Sequence, residues 1–201
     1  MNLLPFLALL LAAPFWEAKA PAEWSDLELQ ALLTESPWAQ LVSGPGTASP
    51  APPVQVYLAT AAPMELALEE SARRARLHRK PGQAEPPGAS EEEYRAWLQE
   101  NRAQQIVLAV GIGDKPAFSD EREVKRMEQE CVMRVGRRKF KLTGHFPPSA
   151  GDPVLRLAFP REVQPEDKTV SFDLYLPGLT APYRLVEFRV KDMLVHGRLE
   201  M

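Results

Sequence analysis

Cysteine is nearly absent from this chain, because Cys131 is the only one among the 201 residues. A single thiol forms no disulfide within the chain, so the hydrophobic core has to stabilise the fold unaided. Cys131 also lies far from the N-terminus, which excludes it as the lipidated first residue of a mature lipoprotein. Free cysteines behave as small apolar residues, so we predict that Cys131 is buried; an intermolecular bridge or a reactive thiol is the alternative.

Sequence motifs of the common catalytic and metal sites are missing as well. The chain has no G-x-S-x-G, no H-E-x-x-H and no Cys/His cluster with zinc spacing. Residues 111–115 follow a predicted strand but lack the third glycine of a phosphate-binding loop, so they indicate a plain turn. Zinc held by His145, His196 and Asp192 would need a strand pairing that nothing in the sequence demands. We therefore expect no cofactor and no bound metal.

A strong excess of charge of one sign is also lacking. The formal net charge is -3 at pH 7, which argues against a whole surface that binds polyanions. The basic residues are not interleaved with aromatic ones, as they are in many surfaces that bind single-stranded nucleic acid. The sequence therefore excludes nucleic acid as the expected partner.

Long apolar runs are limited to one segment, Leu3 to Trp16, with about 14 residues and no charge until Glu17. This run is shorter than the ~20 residues that span a bilayer, and small residues suited to signal peptidase follow it. We predict that residues 1–22 are a signal peptide, with a cut near Ala13 as the alternative. The mature protein would then be periplasmic or secreted, without a stable membrane span.

Proline, in contrast, is abundant, with 20 residues, which predicts many loops between short elements. The proline-rich stretch 43–53 contains no packing residue and is predicted to be a linker. Before this stretch, Ser25 and Glu28 have the spacing of a capping box, which predicts a helix start at Ser25. Ser36 precedes a proline, which predicts that this short helix ends there. Residues 23–42 are therefore predicted to form a small helical arm, joined flexibly to the main body.

Hydrophobic periodicity predicts an α+β fold for residues 54–201. A strand over residues 54–60 is followed by two amphipathic helices, which make up a helical insertion at 63–103. Residues 105–112 are apolar on both faces, as in a central strand. Short alternating segments then recur at roughly 12–15-residue spacing with Gly, Pro and Asp between them. We predict an antiparallel β-sandwich-like domain with a two-helix insertion and an N-terminal helical arm.

Two groups of cations and two tryptophans are the candidate binding residues. Trp24 and Trp38 would dock a partner if they are exposed on the arm, whereas burial against the sandwich is the structural alternative. Cations near a helix C-terminus also complement the helix dipole, and charges around a hairpin are commonly solvated, so both groups have structural explanations. The first group is Arg73, Arg74, Arg76, Arg79 and Lys80 at the end of the first inserted helix; the second is Arg137 and Arg138 at a hairpin, with Arg134, Lys139 and Lys141 nearby.

Short motifs near both ends resemble those of a group of uncharacterised exported bacterial proteins. Near the start these motifs are Trp16-Glu17-Ala18-Lys19, Glu23-Trp24-Ser25-Asp26 and Ser36-Pro37-Trp38; near the end they are Phe159-Pro160-Arg161, Val170-x-Phe172, Lys191-x-Met193 and Gly197-x-Leu199-Glu200. The resemblance implies export but no activity, and it assigns no site residue. If the first motif belongs to the mature protein, cleavage falls near Ala13.

The function that these observations favour is a non-enzymatic interaction module of the cell envelope or of the secreted proteins. Its partner would be an envelope protein or an anionic surface polymer. A hydrolase that acts on an envelope polymer is the first alternative, although Asp173 and Glu187 alternate with core residues and are predicted to face solvent. An anion- or glycan-binding module that uses the basic groups is the second.

Overall fold

The computed structural model of the protein describes residues 13–44, 52–78, 89–112, 116–149 and 151–201. It confirms an α+β fold in which two antiparallel sheets pack against each other and a helical insertion separates two strands of the first sheet. The α-helices are α1 (Phe15–Ala18), α2 (Asp26–Thr34), α3 (Ala62–Leu77), α4 (Ala89–Asn101) and α5 (Glu121–Glu130). Part of the predicted insertion, residues 79–88, lies outside the described residues.

The strands form two larger sheets and one small hairpin. The strands are β1 (Ala39–Val42), β2 (Val54–Leu58), β3 (Gln105–Gly111), β4 (Val132–Val135), β5 (Arg138–Lys141), β6 (Gly144–Phe146), β7 (Val154–Pro160), β8 (Thr169–Tyr175), β9 (Tyr183–Arg189), β10 (Leu194–Val195) and β11 (Arg198–Leu199). The first sheet has the order β1-β2-β3-β7-β6 and the second has the order β5-β4-β8-β9, while β10 pairs only with β11. All the strand pairs are antiparallel.

The main core lies between the two sheets. The aromatic rings of Phe159 in the first sheet and Phe172 in the second lie 5.3 Å apart, and Phe188 follows at 6.2 Å from Phe172. Strand β3 is central in the first sheet and buried on both faces from Ile106 to Val110, as its unbroken apolar run predicts. The helical insertion packs against the same sheet, with the ring of Tyr94 in α4 lying 5.3 Å from that of Phe146 in β6. Each sheet therefore supplies alternate residues to one shared apolar layer.

The second sheet includes the predicted hairpin of β4 and β5. Gly136 occupies its turn with a φ of 59°, a left-handed conformation that glycine adopts without steric cost. Residues 139–146 do not form one continuous strand: β5 pairs with β4, whereas β6 joins the first sheet. Near the C-terminal end of the chain, a tight turn at His196 and Gly197 separates β10 from β11.

The predicted arm is part of the body, contrary to the expectation of a flexible attachment. Strand β1 pairs with β2 and so becomes the edge of the first sheet. The side chain of Trp38 is fully buried, and its indole Nε1 donates a hydrogen bond to the carbonyl oxygen of Glu200 over 2.7 Å. The strand was missed because its four residues, Ala-Gln-Leu-Val, are too few for a periodic signal. Most of the predicted linker, residues 45–51, lies outside the described residues.

The segment before the arm also packs against the core. The ring of Phe15 in α1 lies 5.9 Å from the ring of Trp24, and the ring of Trp16 lies 5.6 Å from that of Trp38, both edge to face. Phe15 and Trp16 therefore contribute to the apolar core of the described structure.

One corner of the sandwich is nearly closed by the edge strands of its two sheets. The side-chain Nε2 of Gln40 in β1 donates a hydrogen bond to the carbonyl oxygen of Glu187 in β9 over 2.9 Å. Beyond this bridge, β1 ends just before Ser43, and β9 begins at Tyr183. Clefts open at this point on either side of β9. This corner carries the candidate site.

Candidate functional site

The first basic group is largely taken up by the fold. Glu70 in α3 is buried and accepts hydrogen bonds from Arg73 and Arg74, with nitrogen–oxygen distances of 2.6–2.7 Å. Arg74 also reaches Asp26 over 2.6 Å and the carbonyl oxygen of Trp24 over 2.5 Å. Arg73 and Arg74 therefore have a structural role, which was the alternative given for them beside ligand binding.

The rest of this group is either exposed or outside the described residues. Arg76 is exposed on α3, and no ion pair with a described residue is seen for it. Arg79 and Lys80 lie outside the described residues. Trp24 and Trp38 are 3% and 0% exposed, so the condition for docking a partner is not met and the structural alternative, burial against the body, holds.

Acid titration should show the role of Glu70. The two arginines lower the pKa of this carboxyl group from 4.5 to about 2. A pKa that is lower in the folded state stabilises the fold above pH 4.5, and this contribution is lost as the pH falls towards 2. We expect Glu70→Gln to be less stable than the wild type at pH 7. The difference between their urea midpoints should shrink between pH 4.5 and 2; a difference that is independent of pH would contradict this role.

The second basic group surrounds the hairpin of β4 and β5. Arg138 donates hydrogen bonds to the carbonyl oxygen of Glu162 over 3.0 Å and to Asp167 over 2.9 Å. Arg138 is thus a structural cation too, contrary to the prediction. Arg137 is exposed at the turn. The side chains of Lys139 and Lys141 are also exposed, and no ion pair to a described residue is seen for either.

The outer face of the second sheet places charges in rows across the strands. Lys139, Arg134, Ser171 and Glu187 follow one another across β5, β4, β8 and β9. Arg134 forms an ion pair of 2.5 Å with Asp173 on this face. The prediction that Asp173 and Glu187 point away from the core is confirmed by their alternation with buried neighbours. We call Arg137, Lys139 and Lys141 the basic edge.

A network of tyrosines and charges attaches α5 to the end of this face. The guanidinium carbon of Arg126 lies 4.3 Å from the ring centre of Tyr175, and Arg126 donates hydrogen bonds to Glu130 and to the hydroxyl of Tyr183, both over 2.7 Å. Tyr175 in turn donates to Glu123 over 2.6 Å. The spacing of Arg126 and Glu130 was visible in the sequence, but the tyrosines follow 49 and 57 residues later, which no local pattern reveals.

A cleft of about 450 Å³ opens beside this network. We call it the edge cleft, and it is lined by Ser43, Glu130, Asp173, Leu174 and residues 183–185. Tyr183 and Leu185 are 46% and 65% exposed there, although both are large apolar side chains. The two carboxylates that line the cleft are ion-paired, Glu130 with Arg126 and Asp173 with Arg134.

A second cleft of about 230 Å³ lies on the inner side of β9, at the mouth of the sandwich. Its walls include Val54 and Ile112 of the first sheet and the turn 178–181 between β8 and β9. We call it the mouth cleft. Arg184 lines both clefts. It was not predicted as a site residue, because its alternating position in β9 indicates only that its side chain faces inward.

Cys131 is a buried structural residue, as predicted. Its sulfur lies 3.4 Å from the backbone nitrogen of Tyr175, and burial raises the pKa of the thiol to about 12. A thiol with such a pKa is protonated at neutral pH and is a poor nucleophile.

Thiol reagents should therefore not reach Cys131 in the folded protein. We expect labelling of the native protein by a maleimide to be at least about tenfold slower than labelling in denaturant, because the thiolate is scarce and the sulfur is covered. A Leu185→Cys variant provides the matched control, since residue 185 is exposed. Equal labelling rates of Cys131 before and after unfolding would contradict the buried role.

The histidines do not assemble a metal site among the described residues. His145 lies 3.5 Å from Glu128 and His196 lies 3.7 Å from Glu17, so each has a different acidic neighbour. Burial lowers the pKa of His145, which disfavours its charged form. No group of three His, Cys, Asp or Glu residues with metal-binding geometry occurs in the described part of the chain.

Searches with the chain against protein-family models, curated proteins and solved structures returned no significant match. Within the ranges that the structure describes, no helix combines the length and the apolarity needed to cross a bilayer. The features that bear on function are therefore the edge cleft, the mouth cleft and the basic edge, with the charged and apolar side chains that line them.

Proposed function

We propose that this protein is an exported, non-enzymatic binding module that holds its partner at the edge cleft. The observation that carries the proposal is the exposure of Tyr183 and Leu185 beside that cleft. Exposed tyrosine and leucine side chains around a concave surface are suited to contact a partner. The partner is an envelope protein or an anionic surface polymer.

The chemistry of the cleft supports binding over catalysis. A general acid or base needs a pKa near the working pH, but hydrogen bonds from Arg126 lower the pKa of Glu130. Asp173 is held by Arg134, and Cys131 is buried and protonated. These pairings leave the cleft without an activated nucleophile among the described residues, so a hydrolase is the less favoured function.

Export is the second part of the proposal. It is supported by the apolar run from Leu3 to Trp16 and its small-residue flank. The packing of Phe15 and Trp16 against two core tryptophans supports a cut near Ala13, which would keep both residues. The protein would then act in the periplasm or outside the cell.

Site-specific photocrosslinking tests the binding surface. A photoreactive amino acid at position 185 is placed at the edge cleft, and one at position 27 is the control. Leu27 is 83% exposed, but it lies on α2. Crosslinking in cells should give one dominant adduct from position 185 and none from position 27. Equal adducts from both positions, or none from position 185, would contradict the proposed surface.

Binding of an anionic polymer at the basic edge is a second candidate function. It is favoured by the exposed Lys139 and Lys141, for which no described carboxylate is a partner. Such binding weakens steeply with added salt, because Lys and Arg release counterions from the polymer. We expect Lys139→Gln and Lys141→Gln to weaken binding to an anionic wall polymer, whereas Arg76→Gln on α3 should not; binding that is insensitive to salt would exclude this candidate.

A further inference from the structure

Arg184 occupies an unusual position for a charged side chain. It lies on the inner face of β9, on the same face as Val186 and Phe188, and only 4% of the residue is exposed. Burial lowers the pKa of its guanidinium. Buried charges in proteins are normally paired, because an isolated charge in an apolar interior is costly.

No carboxylate among the described residues neutralises Arg184. Its Nη1 donates hydrogen bonds to two backbone oxygens, those of Ala181 and Tyr183, and both belong to uncharged peptide groups. The buried Nε has no hydrogen-bond partner. Nη1 is therefore satisfied, whereas the edge of the guanidinium formed by Nε and Nη2 has no acceptor within the described part of the chain. Nε and Nη2 are one of the forks with which arginine binds a carboxylate or phosphate in bidentate fashion.

Arg184 lines two clefts, of about 450 and 230 Å³. Gly44 packs directly against the guanidinium: a Cβ atom at this position would lie 2.5 Å from Nη1 and 2.8 Å from Cζ. A side chain at position 44 would push the guanidinium out of its place, so glycine preserves the pocket.

The other charges near Arg184 do not compete for its fork. Glu130 and Asp173 line the edge cleft but are held by Arg126 and Arg134. The remaining neighbours are mostly apolar, including Leu174, Leu185, Ile112, Val54 and Leu179. Among the described residues, the local chemistry is thus a positive charge without a countercharge, in mostly apolar walls.

We propose that Arg184 is the anchor of a binding site for a small organic oxyanion, a carboxylate or a phosphate monoester with an apolar body. The oxyanion pairs with Nη2, and with Nε once the groups that cover this nitrogen shift, and its apolar body occupies the clefts that Arg184 lines. This inference goes beyond the proposed partner surface, and it is tested on the purified protein without any partner. The acidic group supplies the countercharge that the described part of the chain does not offer to Arg184.

Titration of the purified protein with octanoate and with octyl phosphate tests the site, with inorganic phosphate as the probe that lacks an apolar body. The expected result is saturable binding of at least one octyl compound, which raises the unfolding temperature and shifts the Nε–H resonance of Arg184. Tighter binding of one octyl compound identifies the acidic group. Saturable binding of inorganic phosphate alone, or of no probe at concentrations up to about 10 mM (a binding free energy weaker than about 3 kcal/mol), would overturn the proposal.

Variants then separate a ligand anchor from a structural arginine. Arg184→Met keeps the length of the side chain but removes the charge and should weaken octyl binding at least tenfold. Arg184→Lys keeps the charge without the fork and should weaken it less. Arg189→Met, at an exposed position of the same strand, is the matched control. If Arg184→Met does not fold, Gly44→Ala replaces it, because its Cβ displaces the guanidinium. Unchanged affinity in the folded variant would overturn the role of Arg184.

Discussion

Replacing Trp38 with alanine is expected to lower the free energy of unfolding by about 3–5 kcal/mol. The side chain is fully buried, and the ring of Trp16 packs on it at 5.6 Å. Alanine would leave a cavity and would also remove the hydrogen bond that Nε1 donates to Glu200. Since a partly buried carbonyl that loses its donor carries its own penalty, the loss should fall in the upper part of this range.

Urea unfolding of Trp38→Ala beside two controls gives the measurement. Trp38→Phe fills most of the volume without the indole N–H and should lose less. Leu41→Ala changes an exposed residue of the same strand and should cost under about 1 kcal/mol. A loss below 1 kcal/mol for Trp38→Ala would mean that residues 23–42 are an independent arm after all.

A chain that begins at Glu23 is expected to be less stable than one that begins at Ala13, by about 3 kcal/mol. The shorter chain loses Phe15 and Trp16, two partly buried aromatic side chains with edge-to-face contacts to Trp24 and Trp38. It also loses the ion pair of Lys19 with Glu28, which is partly exposed and contributes little.

Thermal and urea unfolding of the two purified chains measures this difference. In the longer chain, a Phe15→Ala/Trp16→Ala variant should reproduce most of the loss. Lys19→Ala in the same chain is the control and should cost less than about 1 kcal/mol. Equal stability of the two chains would show that residues 13–22 are dispensable, and it would restore the signal boundary at residue 22.

The sequence predicts elements whose signals are local. Ser25 and Glu28 form the capping box of α2, with each side chain bonded to the backbone N–H of the other residue. Two amphipathic helices occur in the insertion, and β3 is the buried central strand. These features depend on spacings of a few residues, which the chain itself displays.

The sequence does not predict features that depend on tertiary pairing. The edge position of β1 follows from its partner β2, across a segment that has no periodicity of its own. Arg73, Arg74 and Arg138 are predicted as ligands because their acceptors are not recognisable in advance, although Glu70 lies on the same helix face as the first two. Arg184 differs from these three arginines, because no described carboxylate pairs with it. This lack of a partner, which makes it a candidate anion-binding residue, becomes visible only in the folded structure.

The most direct test of the account is the intact mass and the location of the protein made in a bacterium from the full sequence. The account places the protein outside the cytosol, with its N-terminus at or next to Ala13, so that Phe15 and Trp16 are retained. Recovery of the unprocessed chain from the cytosol would contradict export. A mature chain that starts at Glu23 would contradict the structural role of the two aromatic residues.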